Sequence, residues 1–189
     1  MINKKFVQQL KKEHDAHESE RRQIISLANI VLHDSKRVIF ALHRSDMAKA
    51  NDSLREIEKI LAGSEKKFGY ARLAQEGAYK AGVEEYVEAK MLNKLISGEK
   101  VDIIKSLTIN AESYLSGICD LTGELVRQAV NQAAAGQLKE VARIKGLIDE
   151  IMAELVEFDL AGYLRTKYDQ ARGNARKIEQ INYEINLRK

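Results

Sequence analysis

The sequence predicts an all-α protein that folds as a single domain. Its 189 residues include no proline and no tryptophan, and the residue types that dominate it, such as alanine, leucine, glutamate, lysine and arginine, favour helices. Apolar residues recur at intervals of three and four, as on the buried face of a helix. This length suffices for one core with a large buried fraction, so we expect one helical domain over residues 1–189.

The first predicted element is a long helix from Asn3 to Arg44. No glycine interrupts this stretch, and a continuous helix of that length would extend about 60 Å at 1.5 Å per residue. Its first half contains the polar run KKEHDAHESERR and few apolar residues. We therefore expect this half to project from the domain or to pair with another subunit.

Capping residues and glycines mark the ends of the other predicted elements. Ser45 or Asp46 can cap a second helix that ends near Ala62 and Gly63. Four of the eleven glycines lie between Gly63 and Gly82, which predicts short helices and turns there. The remaining predicted elements are helices at about 81–96, 110–135, 138–157 and 160–187 and a short amphipathic segment, VDIIKSL, at 101–107.

Composition limits the cellular setting and the partners. The net charge is only +3, from 31 basic and 28 acidic residues, so any nucleic-acid site must be local. The one cysteine cannot form an internal disulfide and fits a reducing compartment. No apolar run approaches the roughly 20 residues that span a bilayer, and the N-terminus does not resemble a signal peptide. We expect a cytoplasmic protein with no membrane partner.

Two acidic pairs on different predicted helices are the strongest chemical signal. Glu85 and Glu88 are three residues apart, Asp120 and Glu124 are four apart, and each pair therefore shares one helix face. Like charges so placed repel by about 0.2–0.5 kcal/mol. Glu85 and Glu88 also lie in a segment that is apolar nearly all round, which is typical of buried helices. Because unpaired buried charge is very costly, the pairs predict a nearby cation.

The nature of that cation stays open at this stage. Acidic helix faces are most often simply solvated, and Lys90 or Lys94 can neutralise the first pair without any metal. Gly117 and Gly123 flank the second pair, where each gives up about 1 kcal/mol of helix propensity. We interpret these glycines as clearing space for a close approach, which favours a site over a solvated face.

The first helix also carries a basic surface. Five residues fall within about one third of its circumference at 100° per residue; they are His33, Lys36, Arg37, Phe40 and Arg44. Lys36, Arg37 and Arg44 are candidate RNA-binding residues, because basic groups beside an aromatic ring suit phosphates and a stacked base. The alternative places Phe40 in the core. Arg127, one turn beyond the second acidic pair, either binds phosphate or neutralises the acids.

Other chemical motifs are absent or weak. Cys119 stands beside Asp120, whose charge should raise the pKa of the thiol, so we interpret this cysteine as a packing residue. The sequence has no Walker motif and no GxGxxG. It also has no glutamate followed three residues later by histidine, the signature of di-iron bundles. These absences argue against nucleotide-binding and di-iron chemistry.

Four segments carry a resemblance to the translin family, and to translin-associated factor X more than to translin itself. They are SKRVIFALHR at 35–44, GVEEYVEA at 82–89, YLSGICDLTGELVR at 114–127 and KYDQARGNARKIEQINYEINLR at 167–188. YLSG followed by DLTGEL is the most specific of these motifs. Their order and spacing extend the resemblance over nearly the whole chain.

The resemblance implies a subunit of about seven helices that assembles into a closed, hollow octamer. It also implies Mg²⁺-dependent endonuclease activity on single-stranded RNA, at an acidic site that faces the interior. The residues that match the family's acidic set are Glu85, Glu88, Asp120 and Glu124, as catalytic residues and as ligands of Mg²⁺ or Mn²⁺. Glu85 or Glu124 is then the better candidate for the general base.

The chain also departs from the family pattern. It lacks the N-terminal extension of the eukaryotic factor and has only a short connection at 98–110, which favours a compact archaeal-type homo-oligomer over partnership with a translin-like second chain. The alternative function is an assembly that binds single-stranded RNA or DNA without cutting it. A third interpretation is a helical scaffold in which the acids only form salt bridges.

Overall fold

The structure is a computed structural model that describes residues 2–187, and within them it consists of helices without any strand. The helices are α1 (Lys4–His43), α2 (Met47–Phe68), α3 (Tyr70–Leu73), α4 (Gly77–Ile96), α5 (Ala111–Ala134), α6 (Leu138–Leu155) and α7 (Gly162–Leu187). The all-α fold of about seven helices is therefore confirmed. In the described part of the chain, no helix combines the length and apolar character needed to cross a membrane.

Helices α4 and α5 form the centre of the molecule. Helix α4 packs against α1 on one side and α5 on the other, while α5 also packs against α6 and α7. The contact between α4 and α5 is close because α5 has no side chain at Gly117. A Cβ placed there would lie 2.7 Å from Cγ1 of Val87 and 2.9 Å from the carbonyl oxygen of Glu84. The space at Gly117 is thus filled by helix α4.

The long first helix contributes to the core only through its second half. Buried side chains begin at Ile24, whereas Phe6, Val7 and Leu10 are 53%, 41% and 47% exposed. The polar run between them leaves no continuous apolar stripe to bury. As predicted, the first half of α1 projects beyond the packed helices.

Capping is as the sequence predicts at two helices. The side chain of Asp46 accepts a hydrogen bond from the backbone N–H of Lys49 at the start of α2 (3.2 Å). The side chain of Asn110 accepts one from the backbone N–H of Ser113 at the start of α5 (2.8 Å). Each cap satisfies a backbone donor that has no partner within its helix.

Two predicted boundaries are wrong. Helix α2 continues through Gly63 to Phe68, because Leu61 and Ser64 are buried and packing overrides the weak propensity of one glycine. Helix α4 begins at Gly77, four residues before the predicted start. The segment 101–107 forms no helix; its backbone is held instead at Ile104, whose N–H donates to the hydroxyl of Tyr114 (2.7 Å).

Candidate active site

The two acidic pairs face one another across the contact between α4 and α5. Glu88 is buried, with 8% of its surface exposed. The pKa of Glu88 is raised to about 9, mainly by burial and in addition by the nearby carboxylates of Glu85, Asp120 and Glu124. Four carboxylates from two helices therefore share one electrostatic environment.

Glu85 lies at the more open side of this cluster. Burial raises the pKa of its carboxyl, while the ammonium of Lys36 on α1 lowers it, and Asp120 and Glu124 raise it again. Within residues 2–187 neither Glu85 nor Glu88 forms a side-chain hydrogen bond. The oxygen atoms of this pair are thus available to a ligand.

Glu124 is held by a histidine that the sequence analysis did not select. Both ring nitrogens of His43 are hydrogen bonded, Nε2 to the carboxylate of Glu124 and Nδ1 to Oε1 of Gln128 (3.0 Å). The His43 side chain is only 4% exposed. Its hydrogen bond lowers the pKa of Glu124 despite burial, and the guanidinium of Arg127, 3.6 Å away, acts in the same direction. His43 thereby fixes the direction in which Glu124 points.

Asp120 is paired with a second unselected residue, Lys167 on α7. The ammonium of Lys167 donates to the Asp120 carboxylate and lies 5.5 Å from the ring centre of Tyr163. Burial lowers the pKa of Lys167, but the ion pair with Asp120 outweighs it and raises the pKa to about 12. The Tyr163 hydroxyl in turn donates to buried Glu84 (2.7 Å), which also accepts from Ser116 (2.8 Å). Helix α7 is thereby anchored over the acids.

The cations beside the acids are only in part the ones predicted, because Arg127 lies 3.6 Å from Glu124 as the sequence allowed, whereas Lys167 was not predicted. Lys90 points away from the cluster and forms an ion pair with Glu58 on α2 (2.8 Å). Lys167 and His43 are far from the acids in sequence, so local spacing could not find them. The sequence contains only a weak indication of these two residues. Lys167 and His43 lie in segments 167–188 and 35–44, which resemble the translin family. His43 is also seven residues, or two helical turns, beyond Lys36.

The carboxylates fit a hard divalent cation by their chemistry, because Mg²⁺ prefers carboxylate oxygens and retains several waters. Buried among three other acids, Glu88 holds a proton near neutral pH, and a divalent cation would take the place of that proton. Across the described residues, no three acidic, histidine or cysteine side chains stand close enough to enclose an ion as they are. Lys167 and His43 instead occupy oxygens of Asp120 and Glu124. The metal site stays a prediction.

The candidate RNA-binding residues occupy different positions around this cluster. Lys36 acts on Glu85 and Arg127 on Glu124, so both lie at the acids. Arg37 is exposed and pairs with Asp34 of its own helix (3.2 Å). Arg44 is exposed, and its guanidinium lies 5.4 Å from the ring centre of Phe40.

The interpretation of Phe40 as a core residue is wrong, because it is 54% exposed. Its neighbours Ile39 and Ala41 are buried, so the packed face of α1 passes beside Phe40 without including it. Cys119, by contrast, is confirmed as a packing residue. It is buried, and its burial and then the charge of Asp120 raise the pKa of the thiol to about 11, which leaves almost no thiolate at neutral pH.

Several known proteins are similar to this chain. Translin of Gallus gallus is 33% identical over 94 residues, which cover 49% of this chain and 41% of translin. The uncharacterized protein MJ0175 of Methanocaldococcus jannaschii is 29% identical over an alignment of 167 positions. The alignment covers 82% of this chain and 72% of that protein. Translin-associated protein X of Mus musculus is 27% identical over an alignment of 213 positions. The alignment covers 88% of this chain and 64% of that protein. The chain thus matches less than two thirds of translin and of protein X.

Solved structures share the fold. The crystal structure of apo-NeC3PO superimposes with a TM-score of 0.85 at 22% identity and covers 97% of each chain. A structure of AfC3PO in complex with duplex RNA has the same TM-score at 21% identity and the same coverage. The profile of the translin family matches residues 19–189. Since this match covers far more than half of the sequence, the chain belongs to the translin family.

Proposed function

We propose that this protein is a Mg²⁺-dependent endoribonuclease that cuts single-stranded RNA. The residues of the proposed active site are Glu85, Glu88, Asp120 and Glu124. The observation that carries the proposal is the convergence of four carboxylates from α4 and α5, since burial and then the charges of Glu85, Asp120 and Glu124 raise the pKa of Glu88 to about 9. A scaffold held by salt bridges would not need more buried carboxylates than it has cations to pair with them. The similarity to translin-associated protein X and to AfC3PO, whose structure contains duplex RNA, supports a nucleic-acid substrate.

The four carboxylates would hold one or two Mg²⁺ ions, which polarise the scissile phosphate and lower the pKa of a nearby water. Glu85 or Glu124 then accepts the proton of the water that attacks phosphorus as the bond to the leaving oxygen breaks. His43 orients Glu124 for this task. Lys36 and Lys167 offset the charge of the RNA phosphates, which the acids alone would repel.

We also propose that the protein works as a cytoplasmic homo-oligomer, with an octamer as the expected state. The exposed apolar residues Phe6, Val7 and Leu10 on the projecting half of α1 support this, because such surface is normally covered by a partner. A homo-oligomer places four acids in every subunit. A translin-like second chain would instead place this chain in only some of the subunits.

Substitution of Glu124 by alanine tests the proposed activity. We expect wild-type protein to cut a labelled single-stranded RNA in Mg²⁺ but not in EDTA, and Glu124→Ala to cut at least about 100-fold more slowly, because an ion ligand and a candidate base are lost together. Rates are read from denaturing gels. Glu179→Ala, an exposed residue of α7, is the matched control and should cut normally.

The other outcomes distinguish the alternatives. Full cleavage by Glu124→Ala would exclude Glu124 from the reaction. Tight RNA binding without cleavage in either Mg²⁺ or Mn²⁺ would favour the non-catalytic binding assembly. A parallel series on duplex RNA and single-stranded DNA shows which nucleic acid is preferred, and sedimentation shows whether the variants keep the size of the wild-type assembly.

Lys167→Met tests whether this ammonium stabilises the acids. In EDTA we expect the variant to lose roughly 1–3 kcal/mol in free energy of unfolding, because Asp120 loses its buried partner. Added Mg²⁺ should raise the melting temperature of Lys167→Met more than that of wild type, since it can replace the missing charge. Lys177→Met, at an exposed position of the same helix, should do neither. Equal melting of all three proteins in EDTA would contradict the role of Lys167.

A further inference from the structure

Phe40 is an exposed aromatic residue in a position that the proposed chemistry leaves without a role. It lies four residues after Lys36 and three before His43, so all three share one face of α1. Lys36 acts on Glu85 and His43 contacts Glu124. Phe40 therefore shares its helix face with one residue whose charge acts on the acidic cluster and one that contacts it.

Phe40 has a cationic side chain as a neighbour. The Arg44 guanidinium lies 5.4 Å from its ring centre, yet Phe40 remains 54% exposed with that arginine in place. Phe40 and Arg44 line an open cleft of about 860 Å³ between α1 and α2, together with Lys49. Across residues 2–187, neither Arg44 nor Lys49 is engaged in an ion pair. Their charges are therefore free to attract an anion.

Acidic residues also line the cleft, but most are neutralised by neighbours on their own helix. Asp34 is paired with Arg37 (3.2 Å), and Glu56 with Lys59 (2.7 Å). Asp52 is paired in the same way with Arg55. Asp46 caps α2, where its carboxylate accepts from a backbone N–H. The cleft thus offers a half-exposed ring beside two cations that form no ion pair within residues 2–187, a combination that suits a single-stranded nucleic acid.

We propose that Phe40 and Arg44 form a base-stacking subsite for single-stranded RNA next to the acidic cluster. One base of the strand stacks on the Phe40 ring while Arg44 and Lys49 contact the flanking phosphates. This inference rests on the proposed function, because it identifies how that substrate is held. Since every base has a π-face, the subsite requires a base but does not select its identity.

The chain contains no tryptophan, so Phe40→Trp introduces a single indole reporter at the subsite. We expect its emission to fall when a short single-stranded RNA binds in EDTA, where no cleavage takes place. A strand of the same length with abasic positions should bind by its phosphates and leave the emission unchanged. Phe158→Trp is the matched control, because Phe158 is 51% exposed and follows α6, which packs against α5 and α7.

Phe40→Ala measures the contribution to affinity. Stacking on an aromatic residue predicts a roughly 5- to 100-fold rise in Kd for single-stranded RNA, with no change for Phe158→Ala. The subsite would be overturned if RNA did not quench Phe40→Trp and if the Kd of Phe40→Ala equalled that of the wild type. A smaller sedimenting species for Phe40→Ala with unchanged Kd would also overturn it, since Phe40 would then be a contact between subunits.

These measurements separate the subsite from the nuclease. Both are made without divalent metal, so they do not depend on the acids being catalytic. Quenching in a protein that never cuts RNA would retain the subsite and reject the endonuclease. Metal-dependent cleavage without quenching would retain the endonuclease and reject the subsite.

Discussion

Glu88→Gln is expected to stabilise the metal-free protein and to abolish RNA cleavage. The carboxyl of Glu88 has its pKa raised from 4.5 to about 9 by burial and by three neighbouring carboxylates. Between these values the group is ionised in the unfolded chain and protonated in the fold. The contribution of this carboxyl to the free energy of unfolding should therefore be largest below about pH 4.5 and fall as the pH rises toward 9.

Glutamine has nearly the same shape and never ionises, so the variant escapes this loss. Near pH 8 in EDTA we expect a gain of at least about 2 kcal/mol in the free energy of unfolding, measured by urea denaturation. At pH 5 the two proteins should differ little. Cleavage in Mg²⁺ should fall by about 100-fold or more, because a charged ligand of the ion is removed.

Glu179→Gln, at an exposed position, should change neither stability nor cleavage. A Glu88→Gln variant that unfolds more easily than wild type at pH 8 in EDTA would contradict the account. It would mean that a cation of the protein already compensates this carboxylate. The pairing of gained stability with lost activity is the expected mark of a residue retained for function.

Gly117→Ala is expected to destabilise the protein by about 1–3 kcal/mol. The new Cβ would lie 2.7 Å and 2.8 Å from two atoms of Val87 and 2.9 Å from the carbonyl oxygen of Glu84. A backbone oxygen in a central helix cannot move aside alone, so α4 and α5 must separate. Because the two helices carry the opposing acidic pairs, cleavage should fall together with stability.

Gly146→Ala is the matched control, because this glycine is inside α6 and a Cβ there would meet nothing within 4 Å. It should raise stability by up to about 1 kcal/mol through helix propensity alone. Both variants are compared by urea denaturation monitored by circular dichroism. Gly117→Ala with wild-type stability would show that the α4–α5 distance is not set at this position.

Features that depend on residues close together in sequence could be predicted for this protein, and features that depend on tertiary packing could not. Helix type, capping by Asp46 and Asn110 and the shared faces of the acidic pairs all depend on residues within a few positions of one another. The end of α2 was misplaced because burial of Leu61 and Ser64 carries the helix past Gly63. Packing of that kind overrides a local propensity of about 1 kcal/mol.

The sequence by itself determined an all-helical member of the translin family with two acidic pairs, because periodicity, caps and motifs are local properties. Only the tertiary structure decided which side chains meet those acids. Lys167 is 47 residues from Asp120 and His43 is 81 residues from Glu124, and only the packing of α7 against α5 and of α1 against α4 brings them together. It also decided that Phe40 stays exposed, because the face that a helix buries depends on the neighbours that pack against it.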